Sequence, residues 1–193
     1  SGLLTCLLMP CALSTSAPLS DSFDMRNLLS LIVFLVAAHA NSAEPPTVLI
    51  FGDSLSAGYG IDVDQSWVAL LQQRFEETGY EHRVVNASIS GETTEGGAAR
   101  IDRAIATFSP ELVILALGGN DGLRGFPPAR IKKNLETIAQ RARASGAEVV
   151  LLGIRIPTNY GTRYSKAFEA VYAEMPHHLE SQRRRLLEIL GEE

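Results

Sequence analysis

Between residues 47 and 175 the chain alternates two kinds of apolar pattern. Thr47 to Phe51 is a continuous β-rich run closed by Gly52, and Glu111 to Leu117 is a second, closed by Gly118 and Gly119. Unbroken runs of this length predict strands buried on both faces. Arg83 to Ala87 and Ala147 to Ile154 predict two more strands. The segments between them change to helical period. Ser66 to Thr78 carries Trp67, Leu70, Leu71 and Phe75 and stops at Gly79. Thr93 to Phe108 brings Ala98, Ile101, Ile105 and Phe108 to one side, and Pro128 to Ser145 turns Ile131, Leu135, Ile138 and Ala142 inward. Arg163 to Glu174, with Tyr164, Ala167, Phe168 and Val171 inward, reads as a further helix. Pro176 interrupts it, and Leu179 to Leu190 is a last amphipathic stretch.

Strands alternating with helices predict a parallel sheet covered on both faces, a three-layer α/β/α sandwich of the flavodoxin-like kind. No internal repeat, low-complexity stretch or linker stands out, and 193 residues suit one domain.

The beginning of the chain has a different pattern. Met25 and Arg26 precede an apolar run from Leu28 to Ala38, and small residues follow at Ala38, Ala40, Ser42 and Ala43. That layout predicts a secretory signal peptide over residues 25–43, with an apolar core too short to remain as a membrane span. Residues 1–24 then form a leader of unclear origin, and the expected mature domain is 44–193, exported to the periplasm or secreted. Both cysteines, Cys6 and Cys11, fall in the leader, so the mature part has neither a disulfide nor a thiolate site.

Composition narrows the function classes. Apolar residues make up 46% and charged residues 20%, ordinary for a globular protein. The net charge is −5; Asp21, Asp24 and Arg26 account for −1 of it, leaving −4 for residues 44–193. Such a balance gives no support to nucleic-acid binding. Arg183, Arg184 and Arg185 form the only dense basic run, read as a solvated helix face. There is no Gly-x-Gly-x-x-Gly, Walker loop, His-Glu-x-x-His or cysteine cluster, so neither a nucleotide nor a metal is implied.

In an open parallel sheet, ligands sit beyond the carboxyl ends of the strands. Three small polar clusters fall there: Gly52-Asp53-Ser54-Leu55-Ser56, Asn86-Ala87-Ser88-Ile89-Ser90-Gly91, and Gly118-Gly119-Asn120-Asp121. A hydroxyl, a glycine N–H and a carboxamide would converge on one edge, as a nucleophile and oxyanion donors must. Each residue alone has an ordinary structural use: a helix cap for Ser54, a turn for Gly91, a tight loop for Asn120. Asp53 and Asp121 read as loop hydrogen-bonding residues.

These segments, with Glu92-Thr93 after the second and Gly122-Leu123-Arg124-Gly125 after the third, resemble the GDSL/SGNH hydrolase family. Within it the chain is similar to the periplasmic multifunctional thioesterase/lysophospholipase/arylesterase group, and Ile154 to Gly161 is similar to that group's segment after the fourth strand. The resemblance covers about residues 47–175. It implies that Ser54 attacks the acyl carbon of an ester or thioester. The Ser54 N–H, the Gly91 N–H and the Asn120 amide would bind the oxyanion, and Leu123, Phe126, Ile156 and Tyr160 would line the acyl chain. Substrates would be small lipid-like or aryl esters, and no cofactor is implied.

The family draws its base from a late Asp-x-x-His motif, which this sequence lacks. Of its histidines, His39 is in the expected signal peptide and His82 precedes the second strand, which leaves His177 and His178. Glu174, three residues before His177, gives a substitute dyad of the same spacing. The change of character near Met175 suggests a frameshift or truncation. Alternatives are a non-catalytic acyl-binding remnant and a carbohydrate deacetylase on the same scaffold.

Overall fold

The structure is a computed structural model that describes residues 44–175. The expected leader, the signal peptide, the stretch 179–190 and His177 and His178 lie outside the described residues.

Four strands form one parallel sheet: β1 (Thr47–Gly52), β2 (Arg83–Asn86), β3 (Leu112–Ala116) and β4 (Glu148–Leu151). Their order is β2-β1-β3-β4, so β1 is paired on both sides. Side chains alternate across a strand, and the core divides accordingly. Leu49, Phe51, Val113 and Leu115 face one apolar cluster, while Val48, Ile50, Leu112 and Ile114 face another. That double burial explains why Val48 to Phe51 and Leu112 to Ala116 carry no polar side chain.

Among the described residues six α-helices flank the sheet: α1 (Ser54–Ala57), α2 (Trp67–Thr78), α3 (Thr94–Phe108), α4 (Gly119–Leu123), α5 (Pro128–Ala144) and α6 (Thr162–Ala173). Helix α2 covers one face with Val68 and Phe75, and α3, α5 and α6 cover the other with Ile101, Ile131, Leu135, Ile138, Phe168 and Val171. The three-layer α/β/α expectation holds.

Two of the helix starts read from the sequence, Ser66 and Thr93, are caps. Ser66 Oγ accepts the Ala69 N–H and Thr93 Oγ1 accepts the Gly96 N–H, satisfying donors that the first turn leaves open. Leu70, grouped by spacing with the inward residues of α2, is 52% exposed; Val68 and Phe75 make the buried face instead. In α6 the exposed Ala167 gives way to Ser165 as the third buried position. Strand β4 is shorter than expected. Leu152 N–H still donates to Leu115 O, but beyond it the chain leaves the sheet. Ile154 and Ile156 are apolar because they pack against α4: their methyls lie 3.8 and 2.8 Å from where a Cβ would stand on Gly119 and Gly122.

Candidate active site

Strand β1 ends at a turn that admits only glycine at Gly52, because a Cβ there would meet Ser56 Oγ at 2.6 Å. Asp53 follows in extended conformation and caps α1, its Oδ1 accepting the Leu55 N–H at 3.1 Å. Ser54 is therefore the first residue of α1, at the carboxyl end of the central strand. It is half-buried, and among the described residues nothing hydrogen-bonds its hydroxyl.

The loop after β2 is fastened to the same edge. Ile89 N–H donates to Gly52 O at 3.0 Å, and Glu92 N–H donates to Ile89 O at 3.1 Å. Gly91 is the exposed residue of that turn, with φ +79°, a conformation that disfavours any side chain. On the other side of β1, β3 runs into α4, which carries Asn120. The Asn120 amide Nδ2 donates to Glu92 O at 2.9 Å. A carboxamide has two N–H groups, and one of them anchors the side chain to the neighbouring loop.

Both acidic residues of the motifs are buried and engaged. Asp121 accepts the Thr94 N–H at 2.9 Å through Oδ2 and the Thr94 hydroxyl at 2.6 Å through Oδ1. Asn134 Nδ2 donates to Thr94 Oγ1 at 3.0 Å, which ties α4, α3 and α5 together. Burial pushes the Asp53 carboxyl above the usual carboxylate range, and the nearby Asp121 charge adds to that. The Tyr172 hydroxyl donates to Leu117 O at 3.1 Å, and burial raises its pKa.

The remaining sequence expectations separate. Leu123 is 49% and Tyr160 39% exposed, whereas Ile156 is buried and Phe126 partly so. Leu55, next to Ser54, and Ile89, two residues before Gly91, also expose most or half of their apolar surface, which spacing did not indicate. Glu174 is exposed at the end of α6 and pairs with Lys132 Nζ at 3.0 Å. His82 packs against Phe75 and Tyr80, with centroids 5.8 and 6.1 Å away. It precedes Arg83, the partner of Thr47, at the opposite end of the sheet from Ser54. Among the described residues, no cluster of His, Cys, Asp or Glu could hold a metal ion.

Comparison with known proteins shows the family. Residues 50–186 match the GDSL-like Lipase/Acylhydrolase family. The chain belongs to that family. Esterase TesA of Pseudomonas aeruginosa is 52% identical over 148 residues, covering 77% of this chain and 74% of the relative. Thioesterase 1/protease 1/lysophospholipase L1 of Escherichia coli is 44% identical over 74% of this chain and 67% of the relative. A crystal structure of TesA superposes with a TM-score of 0.66 at 56% identity, over 67% of this chain and 72% of that one.

Sequence reasoning about this acylhydrolase missed Glu92, Thr94, Arg100 and Asn134. Their partners are distant in sequence, and no local spacing announces them.

Proposed function

We propose that the chain is a serine hydrolase of carboxylic esters and thioesters, with Ser54 as its nucleophile. The Ser54 hydroxyl attacks the acyl carbon, the alkoxide or thiolate leaves, and water then cleaves the acyl-serine ester. The Ser54 N–H, the Gly91 N–H and the free N–H of Asn120 receive the oxyanion. One such donor is worth about 2.7–4 kcal/mol of barrier. The observation that carries this reading is the strand order. β1 delivers Ser54, and its neighbours β2 and β3 deliver Gly91 and Asn120 from either side.

Exposed Leu55, Ile89, Leu123 and Tyr160 favour a lipid-like or aryl substrate over a sugar ester. The esterase and lysophospholipase names of the relatives support the same choice. Among the described residues no helix is long and apolar enough to cross a membrane. With the signal-like pattern of residues 25–43, this supports an exported, periplasmic or secreted enzyme.

His177 and His178 stand as candidate bases, because the one described histidine is at the far end of the sheet. A serine without a base is a weak nucleophile, so acyl binding without turnover is the second reading. A burst of acyl-enzyme with no steady-state rate would favour it. The test of the first is labelling by a fluorophosphonate probe. Ser54→Ala should abolish it with the fold intact, and full labelling of that variant would remove Ser54 from the reaction.

A further inference from the structure

The two donors beside Ser54 share a support that takes no part in the chemistry. The Gly91 loop runs from Ala87 to Glu92, and one side chain grips both of its ends. Arg100, two turns into α3, donates from Nη1 to Ala87 O at 2.8 Å and pairs through Nε with the Glu92 carboxylate. Its guanidinium lies over the Phe51 ring, 3.9 Å from the centroid, and Phe51 is fully buried in β1 just before Gly52. The Arg100 and Glu92 side chains are only 22% and 12% exposed, so the pair is shielded from solvent. Glu92 also holds the second donor, since its carbonyl accepts the Asn120 amide.

We infer that Arg100 and Glu92 are positioning residues that set the Gly91 N–H and the Asn120 amide relative to the end of β1. The inference rests on the oxyanion assignment of Gly91 and Asn120. Arginine suits the task because its planar fork presents two diverging donors, whereas lysine offers a point charge. One fork arm fixes the start of the loop and the other its end, which leaves the turn at Gly91 little freedom to move. The Glu92 carbonyl, fixed by the same pair, then determines which way the remaining N–H of Asn120 points. Donors aimed in advance are what make an oxyanion site effective, because reorganisation during reaction is avoided.

The test is a series of Arg100→Met, Arg100→Lys, Glu92→Gln, Asn120→Ala and the Arg100→Met/Asn120→Ala double variant, alongside Ser54→Ala. Methionine keeps apolar contact with Phe51, and glutamine keeps the shape of the pair without its charge. With p-nitrophenyl acetate, Arg100→Met and Arg100→Lys should lower kcat by about 10- to 10²-fold, part of the 10²–10³ expected for losing a donor outright. KM should stay within about twofold, the pattern of an interaction made only in the transition state. The double variant should be slower than Asn120→Ala by less than the full Arg100→Met factor, because only the part of the loss that acts through Gly91 remains. Hydrogen exchange at residues 87–92 supplies a readout independent of turnover: Arg100→Met and Glu92→Gln should raise it by at least about tenfold while α2 and α5 stay protected.

Losses that multiply in the double variant, or loop exchange unchanged in both Arg100→Met and Glu92→Gln, would overturn the inference. If Arg100→Met does not fold, Arg100→Lys and Glu92→Gln carry the same comparison. Turnover of Ser54→Ala equal to that of the parent would instead overturn the nucleophile assignment.

Discussion

Replacing Asp121 tests how the three layers are held together at the site. Its carboxylate takes the N–H and the hydroxyl of Thr94, the first residue of α3, and both residues are buried. Asp121→Ala leaves the Thr94 N–H without an acceptor away from water, at about 1–3 kcal/mol. The hydroxyl can turn elsewhere and loses less, about 1 kcal/mol, the net worth of an ordinary hydrogen bond. Truncation at a helix cap costs a similar amount in other proteins. Together the loss should be about 3 kcal/mol, a large part of the 5–15 kcal/mol that holds a typical domain. Asp121→Asn is a finer probe. Its carbonyl can still accept the Thr94 N–H, while its amide requires the Thr94 oxygen to accept instead of donate. That oxygen already accepts from Asn134 but has a second lone pair, so the cost should be about 1 kcal/mol. Urea unfolding with an unchanged m-value measures both. A loss below about 1 kcal/mol for Asp121→Ala, or equal losses for the two variants, would refute the reasoning.

Two further outcomes follow from the same edge. Gly122→Ala would set a Cβ 2.7 Å from the Phe168 ring and 2.8 Å from Ile156. It should destabilise by about 1–3 kcal/mol through overpacking and lower kcat more than it raises KM, since α4 also carries Asn120; steady-state kinetics beside thermal unfolding checks both. Asp53 binds its proton more tightly folded than unfolded, because burial raises its pKa. The folded state then holds more protons above the usual carboxylate range, so this residue's contribution to stability falls as pH rises through that window. Asp53→Asn retains an acceptor for the Leu55 N–H and should raise Tm more at pH 7 than at pH 4, and an equal shift at both would contradict the burial argument.

Much of the sheet was legible because β3, and β1 after Thr47, are apolar throughout, a pattern with few other uses. β4 was overextended for the same reason: Ile154 and Ile156 continue the apolar signal but serve α4 instead of a neighbouring strand. Helices α1 and α4 were invisible as helices, since four or five residues show no period, although the motifs marked their positions. In α2, spacing admitted more than one inward face, and only packing against the sheet selects Val68 over Leu70. Ser54, Gly91 and Asn120 were singled out because strand ends collect such residues and because the three segments resemble one family. Their supports were not found. Arg100 reaches back 13 residues to Ala87, and Asn134 reaches 40 to Thr94, contacts that exist only once the layers have closed.

The position of β1 between β2 and β3 also has a bearing on when the protein becomes reactive. Val48 pairs with Val84 on one side and with Leu112 on the other, so three segments far apart in the chain must dock before Ser54 has company. Such non-local pairing is a late and cooperative event. Until the sheet has closed, Ser54 is an ordinary hydroxyl, and whatever chemistry it supports begins only with the folded sheet.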